Sequence, residues 1–144
     1  RECLENSTNY IDWYELDPEI VESCYRHLPK VCSKVKKSNR VNTYWGDAFE
    51  SIKSIEDSKY DKIFVDLNDD QYCIDLARKN MKGLKRILKT GGVITAQVGS
   101  KDKKPKQVEN WCKVLNKSFG NVKVSGVHIP SFDCNWNFAS SIMK

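Results

Sequence analysis

The stretch Tyr60-Asp61-Lys62-Ile63-Phe64-Val65-Asp66-Leu67-Asn68-Asp69-Asp70 decides the predicted fold. Its residues 63–65 are an apolar run of β-branched and aromatic side chains, which is typical of a strand buried on both faces. Three carboxylates follow this run: Asp66, Asp69 and Asp70. In open α/β folds ligands bind beyond the carboxyl ends of the strands, so the stretch predicts a functional site built on these acids. Because Asp also caps helices, one of the three could instead begin a helix.

Strand and helix patterns alternate along the rest of the chain. The predicted strands cover residues 10–16, 40–45, 62–66, 92–98, 122–128 and 135–143. The first predicted helix follows the start signal Asp17-Pro18-Glu19 and ends at Pro29. Two more span residues 49–55 and 71–88, and the last runs from residue 108 to Gly120. The segments 34–39 and 101–106 are predicted loops. The alternation predicts a parallel sheet with right-handed crossovers. The last two strands are joined by too short a link for a crossover, so they should pair antiparallel.

The longest predicted helix, residues 71–88, has a single apolar stripe at helical spacing. The stripe consists of Ile74, Ala77, Met81, Leu84, Ile87 and Leu88. Such a stripe indicates a helix that packs one face on the sheet.

Composition indicates an ordinary globular domain. The chain has 144 residues, enough for one domain with a core, and 40% of them are hydrophobic. No apolar run approaches the roughly 20 residues that span a bilayer. The net charge of +5 comes from 24 basic and 19 acidic residues. Two basic clusters, residues 34–40 and 101–106, are interpreted as solvated loop charge, with an anion-binding or nucleic-acid patch as the alternative.

The six cysteines show no metal-binding pattern. There is no Cys-x-x-Cys, and the cysteines show no pairing with the two histidines, His27 and His128. We therefore expect no metal and interpret the cysteines as small, reduced thiols in or near the core, in a protein of a reducing compartment. The charged residues 1–5 do not form a signal peptide, so the expected location is the cytoplasm.

Five motifs in a fixed order carry a resemblance to a known family. They are Tyr14-Glu15-Leu16-Asp17, Gly46-Asp47-Ala48, residues 60–69, residues 91–97, and His128-Ile129-Pro130-Ser131-Phe132 followed by Trp136. Together they resemble the polyamine aminopropyltransferases, that is, the spermidine, spermine and thermospermine synthases. The last motif looks most like the thermospermine synthase branch. The resemblance covers nearly the whole chain.

The resemblance implies a methyltransferase-like Rossmann sheet of seven strands in the order 3-2-1-4-5-7-6, with strand 7 antiparallel. The six predicted strands correspond to strands 2 through 7, so residues 1–144 are expected to form one partial domain without the central first strand and its glycine-rich turn. Unpaired backbone groups beside that slot would cost about 1–3 kcal/mol each if kept dry. Another chain, or a further segment of the polypeptide, is therefore expected to fill the slot, in a homo-oligomer or larger assembly. Otherwise strands 2 and 4 would have to close on each other. Taken alone, residues 1–144 would be inactive.

The resemblance also implies a donor site. The donor would be decarboxylated S-adenosylmethionine, a co-substrate and not a tightly bound cofactor. Glu15 would accept hydrogen bonds from both ribose hydroxyls, because the two oxygens of a carboxylate suit a vicinal diol. Asp47 would hold the adenine amino group, with the Ala48 amide nearby. Asp17 is expected to be a helix cap, and capping is the alternative role for Asp47.

The acceptor site would handle a polyamine through the Asp-x-x-Asp pair. Asp66 would be the base that takes a proton from the attacking amine, and Asp69 would orient that amine. Gln97 would line the amine channel. Trp136 would form an aromatic wall suited to a cation, unless it is simply part of the core.

Two departures from the family pattern leave other functions open. Asp70 stands where the family usually has Pro, and the gatekeeping stretch that follows is shortened. One alternative is therefore a catalytically inactive homologue with a structural or regulatory role. The other is an S-adenosylmethionine-dependent methyltransferase. The two lysine clusters would favour RNA as its substrate, although an acidic site repels a polyanion.

Overall fold

The computed structural model describes residues 1–6, 8–68 and 70–144. These residues form two compact units, Arg1–Ser51 and Ile52–Lys144. Each unit is considered separately below.

The first unit is built on a pair of parallel strands. Its elements are α1 (Glu2–Glu5), β1 (Ile11–Glu15), α2 (Pro18–His27), α3 (Pro29–Lys36), β2 (Val41–Trp45) and α4 (Ala48–Ser51). Strands β1 and β2 are in register from Ile11 opposite Val41 to Glu15 opposite Trp45. The rings of Tyr14 and Tyr44 stack with their centroids 4.8 Å apart, because residues opposite each other lie on the same face.

The basic segment before β2 is partly helical, so the predicted loop over residues 34–39 is wrong in its first half. Pro29 ends α2 as predicted, but it also begins α3, since proline is favoured in the first turn of a helix. Lys34, on α3, pairs with Glu5 at 2.6 Å. Arg40 donates hydrogen bonds to the carbonyl oxygens of Thr8 and Leu4, at 2.8 and 3.0 Å. These basic residues therefore hold the amino-terminal segment against the start of β2.

The second unit contains a four-stranded mixed sheet. Its elements are a 3-10 turn (Ile52–Ser54), β3 (Tyr60–Val65), α5 (Gln71–Ile87), β4 (Leu88–Gly99), α6 (Pro105–Phe119), β5 (Lys123–Ile129), a second 3-10 turn (Pro130–Phe132) and β6 (Cys134–Ile142). The strand order is β3-β4-β6-β5. Strand β3 runs parallel to β4, and β6 runs antiparallel to both β4 and β5. The predicted α/β class and the antiparallel last strand are confirmed.

Helices α5 and α6 form the core with the sheet. All six residues of the predicted stripe are buried, so the amphipathic prediction is confirmed; the last of them, Leu88, already belongs to β4. Strand β4 begins earlier than predicted, at Leu88 and not at Gly92. Trp111 on α6 is fully buried, and α6 contacts both central strands. Helix α6 ends at Gly120 as predicted, where φ is +72°.

Strand β3 is buried on one face only, which corrects the first prediction. Val65 is 7% exposed, whereas Phe64 is 63% exposed. The two side chains point to opposite faces: Val65 is in register with the buried Ala96, and Phe64 with Thr95. A continuous apolar run does not reveal whether both faces of its strand are covered.

The strands next to the expected central strand each keep an open edge. Within the described residues, β1 pairs only with β2, and β3 pairs only with β4. None of the helices among the described residues combines the length and apolarity that a membrane crossing requires.

All six cysteines have free thiols and are half-buried. Burial raises the pKa of the Cys112 thiol, which keeps this thiol in its neutral form. The interpretation of the cysteines as small near-core residues agrees with this environment.

Candidate functional site

In the first unit, the predicted donor-binding residues share one edge of the strand pair. Glu15 is the last residue of β1, and Asp47 follows β2 by two residues. The amide of Gly46 donates to the Glu15 carbonyl at 2.9 Å, which fixes the turn after β2 against the end of β1. Glu15 is half-buried, and its Oε1 accepts a hydrogen bond from the Asp17 amide at 3.1 Å. The parallel register thus brings Glu15 and the turn containing Asp47 to the same edge.

Two acids at this edge cap helices. Asp17 accepts hydrogen bonds from the amides of Glu19 and Ile20 at the start of α2, at 2.9 and 3.4 Å, so its prediction as an N-cap is confirmed. Asp47 accepts from the Phe49 amide at 2.7 Å through Oδ1. Ala48 is the first residue of α4. Capping therefore engages one oxygen of Asp47, and an adenine-binding role for this residue stays a prediction.

In the second unit, Asp66 lies directly after β3. It is exposed, and no described residue forms a hydrogen bond or an ion pair with its carboxylate. Asp69, the predicted second acid of the pair, lies outside the described residues. Among the described acids of residues 60–70, Asp61 pairs with Lys89 and Asp70 caps a helix. Asp66 is therefore the one whose carboxylate has no hydrogen-bond or ion-pair partner among the described residues.

Asp70 is a helix cap. Its backbone is extended, with φ −94° and ψ 167°, and its side chain accepts a hydrogen bond from the Cys73 amide at 2.8 Å. The capping alternative that the sequence left open thus applies to Asp70. The residue that departs from the family pattern has a local structural role at the start of α5.

We predict that Asp70→Ala lowers the free energy of unfolding by about 0.5–2 kcal/mol, because the substitution leaves the Cys73 amide without its acceptor. Asp70→Asn should cost less, since Asn is also a good cap. Urea denaturation monitored by circular dichroism measures both changes. An unchanged free energy of unfolding in Asp70→Ala would show that the cap has no energetic role.

Gln97 and Trp136 lie side by side near the end of β4. The indole Nε1 of Trp136 donates to Gln97 Oε1 at 2.7 Å, and Gln97 Nε2 donates to the carbonyl oxygen of Leu67. Both side chains are half-buried. Two residues that come from separate motifs of the resemblance are thus in direct contact, and they reach the segment that follows Asp66.

Phe132 and Lys103 belong to the same cluster but were not predicted as site residues. The Phe132 ring packs on Trp136 at a centroid distance of 4.6 Å and a tilt of 50°. Lys103 Nζ donates to the Phe132 carbonyl at 2.8 Å. Phe132 was part of the motif that ends in Trp136, which was a usable signal. The contact of Lys103 is with a backbone carbonyl, and such a contact leaves no signature in the sequence.

Comparisons with known proteins identify the family. The family model of the spermine/spermidine synthase domain matches residues 2–144. The polyamine aminopropyltransferase of Prochlorococcus marinus (strain NATL2A) is 30% identical over 150 residues, which cover 97% of this chain and 51% of that protein. The polyamine aminopropyltransferase of Korarchaeum cryptofilum (strain OPF8) is 23% identical, over 96% of this chain and 44% of that protein. The chain thus spans about half the length of the curated relatives it matches.

Solved structures show the same fold. A spermidine synthase in complex with the transition state analogue AdoDATO superposes with a TM-score of 0.84 at 15% identity, over 96% of this chain and 48% of that one. The spermidine synthase of Thermotoga maritima gives a TM-score of 0.81 at 15% identity, over 94% and 46%. From the match of the family model to residues 2–144, we conclude that the chain belongs to the spermine/spermidine synthase domain family.

Proposed function

We propose that the protein transfers an aminopropyl group from decarboxylated S-adenosylmethionine to a polyamine. The observation that carries the proposal is the exposed carboxylate of Asp66 at the carboxyl end of β3, which has no hydrogen-bond or ion-pair partner among the described residues and lies beside the Leu67-Gln97-Trp136 cluster. Family membership supports it, since the relatives are named polyamine aminopropyltransferases.

The reaction needs a group that removes a proton from the acceptor. A polyamine is protonated near pH 7, and an ammonium nitrogen has no lone pair with which to attack. In the proposed mechanism the Asp66 carboxylate attracts the ammonium, orients it and takes its proton. The nitrogen then forms a bond to the methylene carbon next to the sulfonium, and the carbon–sulfur bond breaks. The electron pair of that bond stays on sulfur, so the products are methylthioadenosine and the longer polyamine.

The surroundings of Asp66 suit an amine. We propose that Asp69 orients the amine by a second negative charge, as in the family's Asp-x-x-Asp pair. The rings of Trp136 and Phe132 offer aromatic faces, which attract cations. Gln97 lies between these rings and the segment after Asp66 through its two hydrogen bonds.

The donor nucleoside is assigned to the edge of the first unit. Only one oxygen of Glu15 accepts a hydrogen bond within the described residues, so the carboxylate retains lone pairs for the two ribose hydroxyls. We assign the adenine amino group to Asp47, with the Ala48 backbone amide nearby. The natural product of the reaction, methylthioadenosine, carries both groups and is therefore the binding probe of choice.

We predict that Glu15→Gln weakens methylthioadenosine binding about 10- to 100-fold, because hydrogen bonds to a charged acceptor contribute about 1.5–3 kcal/mol. Titration calorimetry on the natural polypeptide that contains residues 1–144 measures the affinity. Glu19→Gln, the same substitution at an exposed position of α2, is the matched control and should leave the affinity unchanged. If the unsubstituted protein does not bind at high micromolar concentration, the inactive homologue is the better account.

We also propose that a further strand completes the sheet. The open edges of β1 and β3 support this proposal, because each presents backbone donors and acceptors without a strand partner among the described residues. The strand could come from the same polypeptide or from another chain.

A further inference from the structure

Trp136, Gln97 and Leu67 form a directional chain of hydrogen bonds across the second unit. Gln97 on β4 is in register with Phe138 on β6, so Trp136 is the diagonal neighbour of Gln97 on the same sheet face. Diagonal neighbours are within reach of aromatic and long side chains. The register of the two strands shifts between Gln97 and Gly99, which places this contact at an irregularity of the ladder.

The three groups allow only one direction of donation along this series of hydrogen bonds. An indole N–H only donates and a backbone carbonyl only accepts. The Gln97 amide must therefore turn its oxygen to Trp136 and its nitrogen to Leu67, which is the orientation found. The two substitutions closest in shape cannot do both: Glu, when ionised, lacks the donor, and Met offers only a weak thioether acceptor and no donor.

The Trp136 end of this series of hydrogen bonds is also held by packing. The Trp136 ring packs on Phe132, whose carbonyl accepts from Lys103 Nζ at 2.8 Å. Nearby, the Lys101 amide donates to Asn137 Oδ1, also at 2.8 Å. The Trp136 indole is thus held both by packing on Phe132 and by its hydrogen bond to Gln97.

The Gln97 end of this series of hydrogen bonds contacts the backbone next to Asp66, the proposed base. Strand β3 ends at Val65, so the ladder does not hold Asp66 or Leu67. The hydrogen bond from Gln97 to the Leu67 carbonyl supplies an anchor one residue after Asp66. We propose that Trp136 and Gln97 are positioning residues that set the place of the Asp66 carboxylate through the Leu67 carbonyl. The functional part of this inference rests on the proposed role of Asp66 as base.

The first test measures order in the ligand-free chain. Backbone ¹⁵N relaxation should give Leu67 and Asn68 order parameters near about 0.85 in the unsubstituted protein, falling below about 0.6 in Trp136→Phe and Gln97→Met. In Gln97→Glu the Trp136 indole proton should keep its hydrogen-bonded shift, while Leu67 and Asn68 become mobile. Trp45→Phe, at an exposed tryptophan of the first unit, is the matched control and should change neither residue. Unchanged order parameters in Trp136→Phe and Gln97→Met would overturn the inference.

The second test separates positioning from contact with the amine. In the natural polypeptide, Trp136→Phe should lower kcat about 10- to 100-fold with little change in the KM for the polyamine, because a displacement of about 1 Å can cost about 10²-fold. A raised KM with unchanged kcat would overturn the inference in favour of direct amine contact. Absence of turnover in the unsubstituted protein would count against the proposed function. It would not affect the first test, because order parameters are measured without substrate.

Discussion

Turnover should fall by about 10²- to 10⁴-fold in Asp66→Asn, the range that a positioned general base contributes. The Asn side chain has nearly the same shape as Asp but cannot take the proton of the attacking amine. It also lacks the charge that attracts an ammonium group. The affinity for methylthioadenosine should change less than about threefold, because the nucleoside is assigned to residues of the first unit. Steady-state assays and calorimetry on the natural polypeptide measure the two quantities.

Asp61→Asn is the matched control for Asp66→Asn. Asp61 lies on β3, the strand that Asp66 directly follows, and is exposed, and its carboxylate pairs with Lys89 at 2.9 Å. Surface pairs of this kind contribute little, so the control should retain full turnover and stability. Retained activity in Asp66→Asn would contradict the assignment of Asp66 as the base.

The largest effect on stability is expected from Trp111→Ala, which should lower the free energy of unfolding by about 3–5 kcal/mol. Trp111 is 0% exposed, and its helix packs on the two central strands of the second unit. Its removal leaves a cavity that the surrounding β-strands cannot close. Urea denaturation followed by circular dichroism measures the loss.

Trp111→Phe refines this prediction. The indole Nε1 of Trp111 is buried without a hydrogen-bond partner among the described residues, so a Phe at this site removes an unsatisfied donor together with part of the packing. The Phe variant should therefore lose clearly less stability than the Ala variant. Trp45→Ala, at an exposed position, should change stability by less than about 0.5 kcal/mol. Equal losses in Trp111→Ala and Trp45→Ala would contradict the assignment of Trp111 to the core.

Much of the fold follows from local patterns in the sequence. The stripe along α5 repeats at helical spacing, so its buried face could be predicted residue by residue. Asp17 and Pro18 mark the start of α2 by chemistry that acts within a few residues. The antiparallel pairing of β5 with β6 follows from the length of their connection alone. In each case the deciding interaction is local, and the sequence contains all of its parts.

The errors concern features that depend on distant parts of the chain. The exposure of Phe64 depends on what covers one face of β3, which an apolar run does not reveal. The helix that begins at Pro29 was not predicted, because its basic residues were interpreted as a loop. One of these residues, Lys34, pairs with Glu5, which is distant in the sequence.

The residues of the candidate site were assigned from motifs, but their contacts could not be predicted from the sequence. Asp66, Gln97 and Trp136 were identified from motifs, and the roles of these residues came from the family resemblance. The link from Gln97 to Leu67 ends on a backbone carbonyl, for which no residue type is required. Asp70 was ambiguous because the same carboxylate serves equally well as a ligand and as a cap, and only the hydrogen bond to Cys73 distinguishes the two.

The choice of donor tests the proposed function most directly. The natural polypeptide containing residues 1–144 is incubated with a polyamine and either decarboxylated S-adenosylmethionine or S-adenosylmethionine itself, and the products are identified by mass spectrometry. Aminopropyl transfer predicts methylthioadenosine and a polyamine longer by one aminopropyl unit from the decarboxylated donor, and no product from the intact one. Methyl transfer from S-adenosylmethionine, or no product from either donor, would contradict it.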